Sequence, residues 1–131
     1  KGEILIRAAL HKRGYRYRLH RKDLPGRPDL VLPKYGAAIF INGCFWHGHG
    51  CHLFKWPKTR PKFWQTKITD NQHRDVRNHR RLREMGWKLC VVWECAYKGK
   101  TRTPIDEVSS WIICWLCSSQ LDLEITGEGC K

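Results

Sequence analysis

IFINGCFWHGHGC, residues 39–51, compresses an apolar run, a turn, two cysteines, two histidines and a Phe-Trp pair into one short stretch. Ile39, Phe40 and Ile41 read as a short buried strand, and Asn42-Gly43 is a dipeptide that marks a turn. Beyond it, Cys44, His47, His49 and Cys51 offer sulfur and imidazole donors, the mixture that Zn²⁺ takes in four-coordinate sites. One short loop cannot bring all four comfortably onto one ion. The pattern therefore implies a division in which some hold a metal and another faces a reaction. Phe45 and Trp46 have little core to enter here. They either fold back over the metal or meet a ligand with flat faces, such as a nucleic-acid base.

Upstream, residues 37–41 form the strand that leads into this loop. Leu30-Val31-Leu32 is a second strand, opened by Asp29 after the turn LPGRP at residues 24–28 and closed by Pro33. Residues 15–19 alternate aromatic or apolar with basic side chains, as a strand with one wet face does. Residues 3–12 carry Ile4, Leu5, Ala8, Ala9 and Leu10 at a helical period, and Gly14 stops that helix. Glu3 lies in its first turn, where the helix dipole favours a carboxylate. An acid opening one strand beside a histidine loop closing the next suits metal-dependent phosphodiester cleavage. Asp29 would supply a hard oxygen ligand for Mg²⁺, and His47 a base that activates water.

Downstream, residues 52–62 (HLFKWPKTRPK) read as an ordered loop, followed by a long charged helix over residues 63–85 that Gly86 caps. Trp64, Lys67 and Asn71 share one face of that helix, either a solvated basic face with Trp64 in the core or a surface laid against DNA. WKLCVVW, residues 87–93, reads as a central strand buried on both faces. Cys95 follows its end, within reach of the loop, where it would complete a Cys44, His49, Cys51, Cys95 tetrahedron. Cys90 reads as core. Residues 104–116 form a second apolar helix; its Cys114-x-x-Cys117 lacks a partner pair and reads as packing. Residues 118–131 are a weakly patterned tail with one edge strand at 121–125.

The chain of 131 residues reads as a single domain over 1–131. Its 25 Lys+Arg against 12 Asp+Glu give +13, spread along the chain rather than confined to a tail, and so predict a polyanion partner. The longest apolar run, Trp111 to Cys117, is too short to span a bilayer, which excludes a membrane-spanning reading. Seven cysteines, an odd number interleaved with histidines, argue against a secreted disulfide framework and for a reducing cytosol.

LPGRPD (24–29), GCFWHGHGC (43–51), HLFKWPKTRPKFW (52–64) and VVWEC (91–95) occur in one order. Together, over about residues 3–100, they resemble the very-short-patch repair (Vsr) DNA mismatch endonucleases. The resemblance implies an α/β fold like that of type II restriction endonucleases, a central mixed sheet flanked by helices, with structural Zn²⁺. It implies a monomer that uses Mg²⁺ to nick one strand of double-stranded DNA. The cut falls 5′ of a thymine in a T·G mismatch, the product of 5-methylcytosine deamination. Carried over by position, Asp29 and the Ile41 backbone carbonyl would bind Mg²⁺, His47 would be the general acid or base, and Glu3 would support the metal-bound water. Cys44, His49, Cys51 and Cys95 match the zinc ligands. Phe45, Trp46 and Trp64 match aromatics that wedge into the base stack, with Lys67 and Asn71 near the bases. A bacterial cytoplasmic, nucleoid-associated setting and accessory mismatch-repair proteins complete the expectation.

Three departures from the family pattern stand out: Asn42, Gly50, and the absence of a basic N-terminal segment before Glu3. Asn42 and the missing segment motivate one alternative, a zinc-stabilised DNA-binding module without catalysis; a nuclease of the same fold with a different target is another, since fold and metal chemistry do not fix the lesion.

Overall fold

In a computed structural model, described over residues 2–131, the chain folds as one six-stranded mixed sheet with helices on both faces. The elements are α1 (Gly2–Lys12), β1 (Arg18–Leu19), β2 (Leu30–Leu32), β3 (Ala37–Asn42), α2 (Pro61–Glu84), β4 (Lys88–Trp93), α3 (Ile105–Leu116), β5 (Asp122–Thr126) and β6 (Gly129–Cys130). Strand order follows chain order. The β3–β4 and β4–β5 pairs are parallel and the other three antiparallel, so α2 and α3 serve as the two crossovers.

The strand period of two sorts the core. Leu30, Leu32, Ala37, Ile39, Cys90 and Val92 face α1 and α3, meeting Ile6, Leu10, Val108 and Ile112. The intervening Val31, Ala38, Phe40 and Leu89 face the other way and pack with Leu82 of α2. Among the described residues, no helix is long and apolar enough to cross a membrane.

Register then places the functional loops. Leu30 pairs with Ile39, so Asp29, one residue before β2, stands beside the last turns of β3. Asn42 pairs with Trp93, so the loop after β3 and the Glu94-Cys95 segment after β4 leave from the same edge of the sheet. The carboxyl ends of parallel strands are where open α/β sheets build their sites.

Four local expectations need correcting. The strand expected over 15–19 is only Arg18–Leu19, because Tyr15 and Tyr17 instead pack against the α1–α3 core. In α1 the buried stripe is Gly2, Ile6 and Leu10, while Ile4 and Leu5 are about half exposed. β4 is only partly buried at Val91 and Trp93, which face an open groove beside α2, and at Lys88, whose amine reaches the carbonyls of Trp115 and Ser118 at the end of α3. The tail is not an edge strand over residues 121–125: β5 lies between β4 and β6, and a hairpin at Gly127–Glu128 makes β6 the edge.

Candidate active site

The cage predicted from reach is assembled. Single donor atoms of Cys44, His49, Cys51 and Cys95 all lie within 4.8 Å of one another. His49 Nδ1 is 3.6 Å from Cys44 Sγ and 3.7 Å from Cys95 Sγ. Tetrahedral Zn²⁺ with ordinary bond lengths separates sulfur and nitrogen ligands by about 3.6 Å, so the spacing fits the ion. Each sulfur also accepts a backbone N–H at 3.4 Å: Cys95 donates to Cys44, Leu53 to Cys51 and Gly127 to Cys95. Those donors favour thiolates, the ligand form. Burial pushes the Cys44 thiol well above its usual range and raises that of Cys95. A cation is what would ionise them. Burial lowers His49, which keeps the imidazole neutral and able to ligate. Its ring lies flat on Trp93, centroids 4.2 Å apart at 9°.

The acidic side forms around Asp29. Its Oδ2 accepts the Ile41 N–H at 2.7 Å, which fixes the carboxyl against the end of β3. Glu3, from the first turn of α1, binds Arg7 at 3.2 Å and the His20 imidazole at 3.0 Å. Glu3, His20 and Asp29 together form a second group able to hold a metal ion. Burial pushes the Asp29 carboxyl above its usual range; the Ile41 N–H opposes this, Glu3 adds to it, and His20 and His47 oppose it. The folded chain therefore holds this proton more tightly than the unfolded one. Stability falls as pH rises from the ordinary carboxylate value through the raised one. Asp29→Asn is expected to raise the Tm at neutral pH in Mg²⁺-free buffer, with the gain shrinking as pH is lowered. A gain independent of pH, or a loss, would contradict this balance.

His47, on the same loop as the cage, is not part of it. Its Nδ1 pairs with Asp75 of α2 at 2.5 Å. Gln72 donates to the carbonyls of His47 and Gly48, each at 3.3 Å, and Asn71 donates to the Trp46 carbonyl at 2.8 Å. Gly48 permits this approach: it has φ +61°, and a Cβ there would strike Gln72 and Ile68. One stripe of α2 (Ile68, Asn71, Gln72, Asp75) thus clamps the loop. Asn71 spends its amide nitrogen on the loop backbone, while Lys67 stands exposed. Asp29 and His47 both open into a cleft of about 480 Å³, rimmed by Arg27 and Arg74.

Phe45, Trp46 and Trp64 touch one another, with centroids 5.3–5.8 Å apart. The surface is larger than predicted. Phe54 stacks on Phe45, Trp56 meets Phe54 edge-on, and Phe63 meets Trp64. Trp46 and Trp56 remain half exposed. Four residues escaped the sequence reading here. His20 and Asp75 look like surface residues in one dimension, although Asp75 lies one helical turn after Asn71 on the face already singled out. Phe54 and Trp56 sat in a loop read only as ordered.

The family model described as DNA mismatch endonuclease Vsr matches residues 1–53, from α1 through the cage loop. The DNA mismatch endonuclease Vsr of Escherichia coli K12 is 40% identical over 127 residues, 97% of this chain and 81% of that protein. The chain belongs to the Vsr DNA mismatch endonuclease family. Among further Vsr-like relatives, a type II nicking enzyme of Xanthomonas oryzae pv. oryzae is 50% identical over 93 residues, 71% of this chain and 68% of its own length. Another from Neisseria meningitidis is 47% identical over 100 residues, 76% of this chain and 71% of its own. The E. coli alignment extends past the segment the family model matches, and its 97% coverage spans α2 and Cys95.

Proposed function

We propose that this Vsr-family endonuclease nicks one strand of duplex DNA 5′ of a thymine mispaired with guanine, on a fold like that of type II restriction endonucleases. It would act as a monomer on chromosomal DNA in the bacterial cytoplasm, with accessory mismatch-repair proteins as further partners. Zn²⁺ in the Cys44, His49, Cys51, Cys95 cage has a structural role, and Mg²⁺ is the catalytic cation.

The observation that carries this reading is the shared cleft, with a part-buried carboxylate on one side and a carboxylate-oriented imidazole on the other. Asp29 Oδ1 and the Ile41 carbonyl would hold the cation, whose charge would polarise the scissile phosphate. Glu3 accepts a hydrogen bond from the attacking water. His47 takes a proton from that water at Nε2, because Asp75 fixes its Nδ1–H and stabilises the imidazolium that forms. Arg27 and Arg74 grip the phosphates beside the cut, which positions the duplex without reading it.

Selectivity comes from opening the stack. Phe45, Trp46 and Trp64 enter beside the mispair, where a mismatch is easier to unstack than a paired step. Lys67 and Asn71 lie near the bases, Asn71 acting also through the Trp46 backbone. A binding module without catalysis has no use for the Asp29 and His47–Asp75 arrangement.

A supercoiled plasmid carrying one T·G mismatch tests the reading. Conversion to open circles in Mg²⁺ and none in EDTA is expected; linear product would mean double-strand cleavage, and tight binding without conversion a binding module. Asp75→Asn keeps the shape of its side chain and loses its charge, so nicking should slow about 100-fold with little change in DNA affinity. A normal rate would remove Asp75 from the mechanism.

A further inference from the structure

His20 is the side chain that the proposed chemistry leaves unused. The antiparallel pairing of Leu19 with Leu30 makes it the residue opposite Asp29, and its backbone N–H donates to the Asp29 carbonyl at 3.2 Å. Its φ of +47° turns the chain at that point. The imidazole then stands between the two carboxylates, with Nε2 3.0 Å from Glu3 Oε2 and Nδ1 3.9 Å from Asp29 Oδ1. Asp29 Oδ2 is engaged by the Ile41 N–H, so Oδ1 is the oxygen left on that side.

We propose that His20 is a nitrogen ligand of the cation centre and that it shifts this centre's preference from Mg²⁺ toward Mn²⁺ and other first-row transition ions. The proposal rests on the reading of Asp29 as the cation-binding residue. Two ligands on one octahedral ion with bonds of about 2.1 Å are separated by about 3 Å when adjacent, so the Nε2–Oε2 spacing of 3.0 Å lets Glu3 meet the ion that His20 joins either directly or through the water it holds. Glu3, His20 and Asp29 each have one donor atom within 4.8 Å of the others, so a single ion can reach all three. Mg²⁺ is a hard ion that prefers oxygen and retains its water, whereas an imidazole donor favours transition ions. Mn²⁺ binds such donors most weakly of the series, which makes it the most demanding probe.

The test uses the zinc-loaded protein, so that the cage is filled and His49 cannot be the nitrogen observed. Electron spin-echo modulation of bound Mn²⁺ reports directly ligated ¹⁴N, and Mg²⁺ competition gives the ratio of the two affinities. His20→Asn is the informative variant, because asparagine tolerates the left-handed backbone better than most residues. The parent should show nitrogen modulation. In His20→Asn it should vanish, with Mn²⁺ affinity at least tenfold lower and Mg²⁺ affinity within about threefold of the parent. An unchanged modulation or affinity ratio, with Mn²⁺ binding lost in Asp29→Ala, would overturn the role of His20 and leave the cation centre standing. Mn²⁺ binding that survives Asp29→Ala would overturn both.

Discussion

Asp29→Ala is expected to lower single-turnover nicking by about 1,000-fold or more while leaving affinity for mismatched duplex within a few-fold. The loss is large because the carboxylate has no substitute. Glu3 is already shared between Arg7 and His20, and removing Asp29 also strips the Ile41 N–H of its partner. Binding is expected to survive because the proposed DNA contacts lie elsewhere, in the basic surface and in the aromatic group around Trp46 and Trp64. Asp29→Asn and Asp29→Ala should fail alike in nicking, although the first gains stability. That separation of activity from stability is characteristic of a carboxylate held at an energetic disadvantage for function. Nicking by Asp29→Ala at the parent's rate would remove the cation from this position.

The second large effect concerns the cage. Cys51→Ala is expected to lose stoichiometric zinc and to lower the Tm by about 15 °C or abolish the cooperative transition, since binding energy at a structural zinc site is folding energy. Cys51 is the suitable choice because it is only partly buried, so little packing is lost with its sulfur. Cys90→Ala is the control: it is fully buried in the sheet core, outside the cage, and should cost packing while keeping the metal. Three elements meet at the cage, the loop after β3, the turn after β4 and the β5–β6 hairpin through Gly127. Losing the metal therefore releases Phe45, Trp46 and His47 together. An unchanged Tm with zinc still bound in Cys51→Ala would contradict the ligand assignment.

The cage was legible in the sequence because cysteine and histidine at close spacing have few structural uses, and because a strand end beside the loop left Cys95 one place to go. Asp29 and His47 were legible for a similar reason: the turn at 24–28 and the glycine break at Gly43 fix where each strand starts or stops. The strands of the central sheet followed from apolar runs bounded by proline and glycine. The Asp75–His47 pair was not legible, because a charged helix whose three acids are Asp70, Asp75 and Glu84 gives no sign of which one meets a loop 28 residues earlier. His20 was hidden by register, since the pairing that sets it against Asp29 comes from a strand of two residues, Arg18–Leu19, too short to carry a periodic signal. The β5–β6 hairpin was missed because Asp122 and Glu124 make β5 half polar, the mark of an edge, whereas they face the open groove beside α2. Each of these misses is a pairing that the residues on either side do not announce.

The cleft between Asp29 and His47 is proposed to cut DNA at a mispaired thymine. The most direct measurement is the single-turnover nicking rate on two end-labelled duplexes that differ at one base, T·G in one and T·A in the other, in Mg²⁺ with zinc-loaded protein. One cut is expected, immediately 5′ of the mispaired thymine, at least about 100-fold faster than any cut in the paired duplex. Equal cutting of both duplexes would contradict it.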